Sequence, residues 1–300
     1  MESATVRSAL TDSKRIAAGM PDLLIEARRV ASTVLAGWHG RRTSGRGETF
    51  WQFRPFVTGE AAAAIDWRRS ARDDHVYVRE KEWEAVHTVW LWTDISASMD
   101  FRSRLAPVTK RDRAAVLMLA LAEMLATAGE RIGLLGASDP ILARNGAERL
   151  AAVLAAMATP TAPDVRGLRR FSDLVLIGDF LDPIGEIEAT LDGILRAGAR
   201  AHLVQVVDPI EETFPYAGRT EFLDPETGLR HVVSRAEQYH GDYVTRLTAI
   251  RDRLRTLSRR LDWTFIVHRT DRPATEPLLA LHARLADRQD SLGGYAGRAA

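Results

Sequence analysis

The chain has 300 residues, 46% of them hydrophobic and 27% charged, with a formal net charge of +1; a chain of this length can bury roughly three quarters of its unfolded surface. So small a charge argues against functions that need a strong overall field, non-specific nucleic-acid binding among them. With no cysteine, disulfides, zinc-thiolate sites, iron–sulfur clusters and cysteine nucleophiles are excluded.

Residues 1–20 carry Arg7, Asp12, Lys14 and Arg15 and no apolar core, so they read as a disordered tail and not as a signal peptide. No apolar run approaches the roughly 18 residues of a membrane span, and a cytoplasmic location is expected. Residues 21–84 are expected to form a helix and a small β-rich module. Pro21 and Asp22 open the helix, in which Leu24, Ala27, Ala31, Val34, Leu35 and Trp38 recur at helical spacing. Gly37 and Gly40 close it. Glu48 to Phe56 is an aromatic-rich strand candidate whose Pro55 places it at an edge or a strand end. Ile65 to Arg79 is rich in arginine: Arg68, Arg72 and Arg79 are candidates for a partner surface, against an ion-paired network with Asp66, Asp73, Asp74 and Glu80.

The main domain is expected over 85–288. Its first strand, Val89 to Thr93, stops at Asp94, and Ser96 and Ser98 follow at alternate positions. The strand reading rests on β-branched and aromatic content. Helix Lys110 to Thr127, strand Arg131 to Ala137 and a short, antiparallel strand after Ser138-Asp139-Pro140 come next. Helix Ala147 to Ala158, strand Asp173 to Gly178, helix Gly185 to Arg196 and strand Arg200 to Val207 continue the alternation. Helix Tyr243 to Leu261, strand Asp262 to Val267 and helix Ala274 to Ala286 complete it, leaving 289–300 as a second disordered tail. This alternation predicts an α/β, doubly wound, mostly parallel sheet. Residues 210–235 interrupt it as a β-hairpin insertion turning at Asp224 to Gly228, predicted to pack on or extend the N-terminal β module.

Asp94, Asp179, Asp208 and Asp271 each follow an apolar strand, which in a parallel sheet puts all four on one rim, where open α/β sheets bind ligands. An aspartate in that place also caps the next helix. At Asp94 the two added hydroxyls favour a cation site, because hard ions such as Mg²⁺ take oxygen donors.

Asp94-Ile95-Ser96-Ala97-Ser98, at the end of the first strand, resembles the metal-ion-dependent adhesion site of von Willebrand factor A domains. Upstream, Gly47-Glu48-Thr49-Phe50, Arg54-Pro55-Phe56, Gly59-Glu60, Ile65 to Arg72 and Val76 to Glu80 resemble the signature of the domain of unknown function 58 family, as do Asp208 to Glu211 and Asp224 to Gly228 downstream. The family's acidic pair and arginine before Ile65-Asp66-Trp67 are replaced here by Ala61 to Ala64. The resemblance implies a von Willebrand factor A (Rossmann-like) fold and a divalent cation, Mg²⁺ or Mn²⁺, held by Asp94, Ser96, Ser98, a threonine and Asp179. Thr161 is the candidate threonine, with Thr159 competing. It also implies a non-enzymatic adaptor that engages a carboxylate of a protein partner, a MoxR-type AAA+ ATPase, in complex maturation or metal insertion.

The competing reading is a haloacid-dehalogenase-like, Mg²⁺-dependent phosphohydrolase with Asp94 as nucleophile and Gly178 to Asp182 as a later acidic motif. Such enzymes need a second carboxylate two residues on, where this chain has Ser96. The lysines, Lys14, Lys81 and Lys110, leave few candidates for phosphate binding.

Overall fold

The computed structural model describes residues 2–38, 50–57, 65–72, 75–81, 87–157 and 162–296. In chain order these form α1 (Glu2–Trp38), β1 (Phe50–Pro55), α2 (Trp67–Ser70), β2 (Tyr77–Lys81), β3 (Thr88–Thr93), α3 (Lys110–Thr127) and β4 (Arg131–Leu134). There follow α4 (Gly146–Ala156), β5 (Asp173–Gly178), α5 (Ile184–Arg196), β6 (Arg200–Val207) and α6 (Pro209–Thr213). The last elements are β7 (Thr220–Leu223), β8 (Arg230–Val233), α7 (His240–Arg260), β9 (Thr264–Arg269) and α8 (Thr275–Ala296). The chain divides into two compact units, Met1–Gly37 with Val86–Leu285, and Trp38–Ala85 with Ala286–Ala300.

The larger unit is an α/β structure, Rossmann-like, whose five-stranded sheet has the order β4-β3-β5-β6-β9 with every pair of named strands parallel. A single antiparallel bridge, Ile132 to Ile141, flanks β4, where the sequence predicts a short antiparallel strand. Successive strand residues serve opposite layers, as the pleat requires. Val89, Leu91, Val175 and Ile177 join the apolar cluster that includes α1, α3, α4 and α8, and Trp90, Leu174 and Leu176 join the one that includes α5 and α7. Both faces are therefore covered, which is why the strands read as continuous apolar runs.

Helix α3 is buried on nearly all sides, from Ala114 through Ala122. Its outer flank meets Ala27, Val30, Ala31 and Val34 of α1. This differs from the expected grouping, in which the first helix goes with the β module. The tail expected over 1–20 differs as well, since α1 starts at Glu2 with Pro21 inside it. The residues before Pro21, Ala4, Ala9, Leu10, Lys14 and Ala17 among them, are good helix formers, and a long helix can absorb one proline. At the other end α8 runs on to Ala296, through most of the stretch expected as a second tail.

The smaller unit contains an antiparallel β1–β2 pair with a bulge between Phe50 and Gln52. Hairpin β7–β8 pairs Thr220 with Val233 and Leu223 with Arg230 as a sheet of its own. Among the described residues it shares no ladder with β1 or β2, so the sheet extension predicted as one alternative is not formed. Phe222 and Tyr216 pack around Phe214, with ring centroids 5.9 and 5.0 Å from it, and Phe214 stacks on Tyr243 of α7 at 4.7 Å. An aromatic knot at the start of α7 thus holds the hairpin to the large unit.

Candidate functional site

Strands β3 and β5 are neighbours, and the chain leaves β3 towards β4 on one side before returning to β5 on the other. Their carboxyl ends flank the switch point where such sheets hold ligands. Asp94 ends β3 and Asp179 ends β5. Gly178 lets the two loops approach, because a Cβ there would lie 3.1 Å from that of Asp94. Phe180, next to Asp179, has the left-handed φ of 51°, a conformation an aromatic residue adopts only when its surroundings hold it there.

Asp94 Oδ1 accepts a hydrogen bond from the backbone N–H of Ser96 at 2.8 Å. The Ser96 and Ser98 hydroxyls are 3.1 Å apart, and Ser98 Oγ donates to Asp179 Oδ2 at 2.9 Å. Asp94, Ser96, Ser98 and Asp179, chosen from the sequence, therefore converge. Thr161 and its competitor Thr159 lie outside the described residues.

Burial pushes the Asp94 carboxyl above the usual carboxylate range; hydrogen bonds from Ser96 oppose the rise and the charges of Asp179 and Asp182 add to it. Asp182 is raised by burial first, then by Asp179, Glu186 and Glu226. Neither Asp94 nor Asp182 forms an ion pair among the described residues. A cation placed between them would relieve that repulsion.

Asp179 is neutralised differently. Lys110, almost wholly buried at the start of α3, donates to Asp179 Oδ2 at 2.9 Å and to Glu211 Oε1 at 2.7 Å. Gln205 Nε2 donates to the Asp179 carbonyl at 2.8 Å, and Arg251 Nε to Gln205 Oε1 at 2.8 Å. Leu181 N donates to Asp179 Oδ1 at 3.1 Å.

Helix capping is what Asp208 does. It starts α6 with a capping box completed by Glu211, and also accepts from Ser103 N at 2.8 Å. Asp271 is clamped by Arg269 in two hydrogen bonds of 3.0 and 2.7 Å, away from Asp94.

The hairpin contributes a group that the sequence reading does not assign to the site. Glu226, at its tip, accepts a hydrogen bond from Ser98 N at 2.8 Å. Its signal in the sequence is only the Asp224-Pro225-Glu226-Thr227-Gly228 turn. Lys110 has a clearer one, as one of three lysines in a chain of 41 Lys and Arg residues; lysine's compact ammonium suits bridging two carboxylates.

In the smaller unit Asp66 caps α2, accepting from Arg69 N at 2.9 Å, and the Arg69 guanidinium lies 4.8 Å from the Tyr77 ring centroid. Of the candidate partner-binding residues, Arg68 and Arg72 are exposed and Arg79 is paired in register with Phe53. Asp73 and Asp74, needed for the expected ion-paired network, lie outside the described residues.

Among the described residues no helix is long and apolar enough to cross a membrane, and no group of three or more His, Asp or Glu side chains is placed to hold a metal ion by itself.

Residues 52–253 match the family described as Protein of unknown function DUF58. The chain is 30% identical over 239 residues to uncharacterized proteins of Mycobacterium bovis and Mycobacterium tuberculosis, each alignment covering 73% of this chain and 73% of the relative. Among solved structures it is similar to the conserved hypothetical protein BatB from Bacteroides thetaiotaomicron, at 11% identity and a TM-score of 0.36. It is similar too to an aerotolerance-related membrane protein from Bacteroides fragilis, at 14% identity and 0.39. Both matches cover 67% of this chain and 99% of the other, but likenesses this weak carry no argument. The family match and the mycobacterial relatives do: this chain belongs to the DUF58 family of proteins of unknown function.

Proposed function

We propose that this DUF58 protein is a non-enzymatic adaptor of von Willebrand factor A type, which holds a divalent cation, Mg²⁺ or Mn²⁺, and uses it to capture a carboxylate of a protein partner. The observation that carries this reading is the convergence of Asp94, Ser96 and Ser98 with Asp179, 81 residues from Ser98, in one hydrogen-bonded group. Two carboxylates and two hydroxyls are the hard oxygen donors such ions prefer, with water completing the shell. Asp94 and Asp182 supply negative charge that lacks a basic partner among the described residues. Thr161 is the candidate for a further ligand.

When bound, the cation offers an open position to an incoming carboxylate. The chain's own residues orient the donors. The Ser96 N–H fixes the Asp94 carboxylate, Lys110 and Leu181 N fix that of Asp179, and Glu226 on the hairpin holds the loop at Ser98. From the family resemblance the partner is a MoxR-type AAA+ ATPase, met through the cation and through Arg68, Arg72 and Arg79. The single antiparallel bridge beside β4 supports the von Willebrand factor A topology. The phosphohydrolase reading has no comparable support, since Ser96 cannot act as a general acid or base there.

Calorimetric titration of Mg²⁺ and Mn²⁺ into the full chain tests the proposal, with Asp94→Ala as control. We expect saturable binding of at least one ion that the variant loses while keeping its thermal midpoint within a few degrees. Absence of saturable binding to the unaltered protein, or binding that Asp94→Ala retains, would sink the adhesion-site mechanism.

A further inference from the structure

Helix α3 begins with three buried basic residues, Lys110, Arg111 and Arg113, although the positive end of a helix dipole disfavours cations. Two of them are compensated. Lys110 meets Asp179 and Glu211. Arg111 lies 3.2 Å from Asp100 and donates to the Ile95 and Ser96 carbonyls.

Arg113 has no such contact with a carboxylate among the described residues. It is 7% exposed, its hydrogen bond runs from Nη2 to the Thr270 carbonyl at 3.0 Å, and its buried Nε meets no acceptor. No carboxylate among the described residues lies within ion-pair distance of it. Burial lowers its pKa from the ordinary arginine value, with Glu26 and Asp271 opposing. His268 is pushed down to about 4, first by burial and then by the charge of Arg113, so the imidazole stays neutral at pH 7. A buried guanidinium left in this state is costly unless an anion joins it.

Arg113 lines a cleft of about 420 Å³ between α1, α3 and the start of α8, within the range of roughly 300–1,000 Å³ common for small-molecule sites. Arg29 and Arg272 line it too, are exposed and form no ion pair among the described residues. The N-terminus of α8 opens on the same space through Pro273, Ala274 and Thr275, and helix N-termini favour phosphate groups. Two carboxylates share the lining, those of Glu26 and Asp271. Arg269 already holds Asp271, which leaves Glu26 to receive a hydroxyl or ammonium of the ligand.

We propose that this cleft binds the phosphate group of a small phosphorylated molecule, with Arg113, Arg29 and Arg272 as charge partners and the α8 N-terminus as donor. Three guanidinium groups and a helix end suit a dianion with several acceptor oxygens better than a single carboxylate. The site is separate from Asp94 and does not depend on the adaptor reading.

The test uses inorganic phosphate and glycerol 3-phosphate, titrated calorimetrically into the full chain in buffer without divalent cations. Arg113→Ala could fail to fold, so the variants are Arg272→Ala and the Arg29→Ala/Arg272→Ala pair, both at exposed positions. We expect saturable binding of at least one probe, at least tenfold weaker in Arg272→Ala, undetectable in the pair and unchanged in Asp94→Ala. No saturable binding to the unaltered protein, equal binding in the arginine variants, or loss in Asp94→Ala would each overturn the assignment.

Discussion

Lys110 ties the carboxylates of Asp179 and Glu211 to the first turn of α3, and two forces act on its charge there. Burial on its own lowers the pKa of a lysine, but the charges of Asp179 and Glu211, with their hydrogen bonds, outweigh it and leave Lys110 above its ordinary 10.5. Glu211 moves the other way energetically. Its carboxyl rises because burial exceeds the pull of Lys110 and of the Asp208 N–H. A buried pair whose acid is penalised by burial positions groups more than it stabilises them.

Breaking such a cluster is still expensive. Lys110→Met leaves Asp179 and Glu211 buried without their cation and should cost about 3–5 kcal/mol, read by urea unfolding at pH 7. The pH dependence follows from the raised folded value. The lysine's contribution is complete below pH 10.5 and is lost as pH rises through the folded pKa. Unaltered protein should lose stability across that alkaline window, and Lys110→Met should show a flatter profile. Equal slopes would mean that Lys110 is not held by its carboxylates.

At the scale of elements, α3 explains why α1 belongs to the large unit. The run Ala114 to Ala122 is apolar on all sides and cannot be satisfied by one sheet face, so a second layer must cover its outer flank. Met20, Ala27, Val30, Ala31 and Val34 provide it. Removing residues 2–37 should therefore expose a contiguous apolar strip and yield protein that binds a hydrophobic dye and elutes as aggregates in gel filtration. A monomeric truncation with unchanged thermal unfolding would show that α1 adds nothing to the core.

The burial of α3 was legible in its composition, whereas the start of α1 was not. Pro21 followed by Asp22 has the form of a helix opening, and that local rule yields when good helix formers precede it. The hairpin shows a similar split. Its turn chemistry at Asp224 and Gly228 is local and readable. Its docking depends on Phe214, Phe222 and Tyr243 meeting in space, which no spacing rule encodes.

Across the whole molecule, protection from exchange should follow depth in the sheet. All of β5 is buried and all of β6 but its first residue, while most of β7 and β8 is exposed or half-exposed. Native-state hydrogen exchange should find the slowest amides at Leu174 to Ile177 and Leu203 to Val206, opening only with global unfolding. Hairpin amides at 220–233 should exchange orders of magnitude faster, and equal protection there would contradict this ordering.

The sequence by itself determined the alternation of strands and helices, the parallel sheet, and the placing of Asp94, Ser96, Ser98 and Asp179 on one rim. Those properties follow from periodicity and from where apolar runs stop, and both are local. Only the tertiary structure decided which rim residues meet. Asp208 caps α6 and Asp271 pairs with Arg269, although all four aspartates lie within two residues of the ends of apolar strands. Lys110 reaches Glu211 across 101 residues and Ser98 reaches Glu226 across 128. Such contacts are set by strand order and by the paths of the connections between strands. Hydrophobic patterning cannot specify them, because a strand buried on both faces looks the same wherever it sits in the sheet.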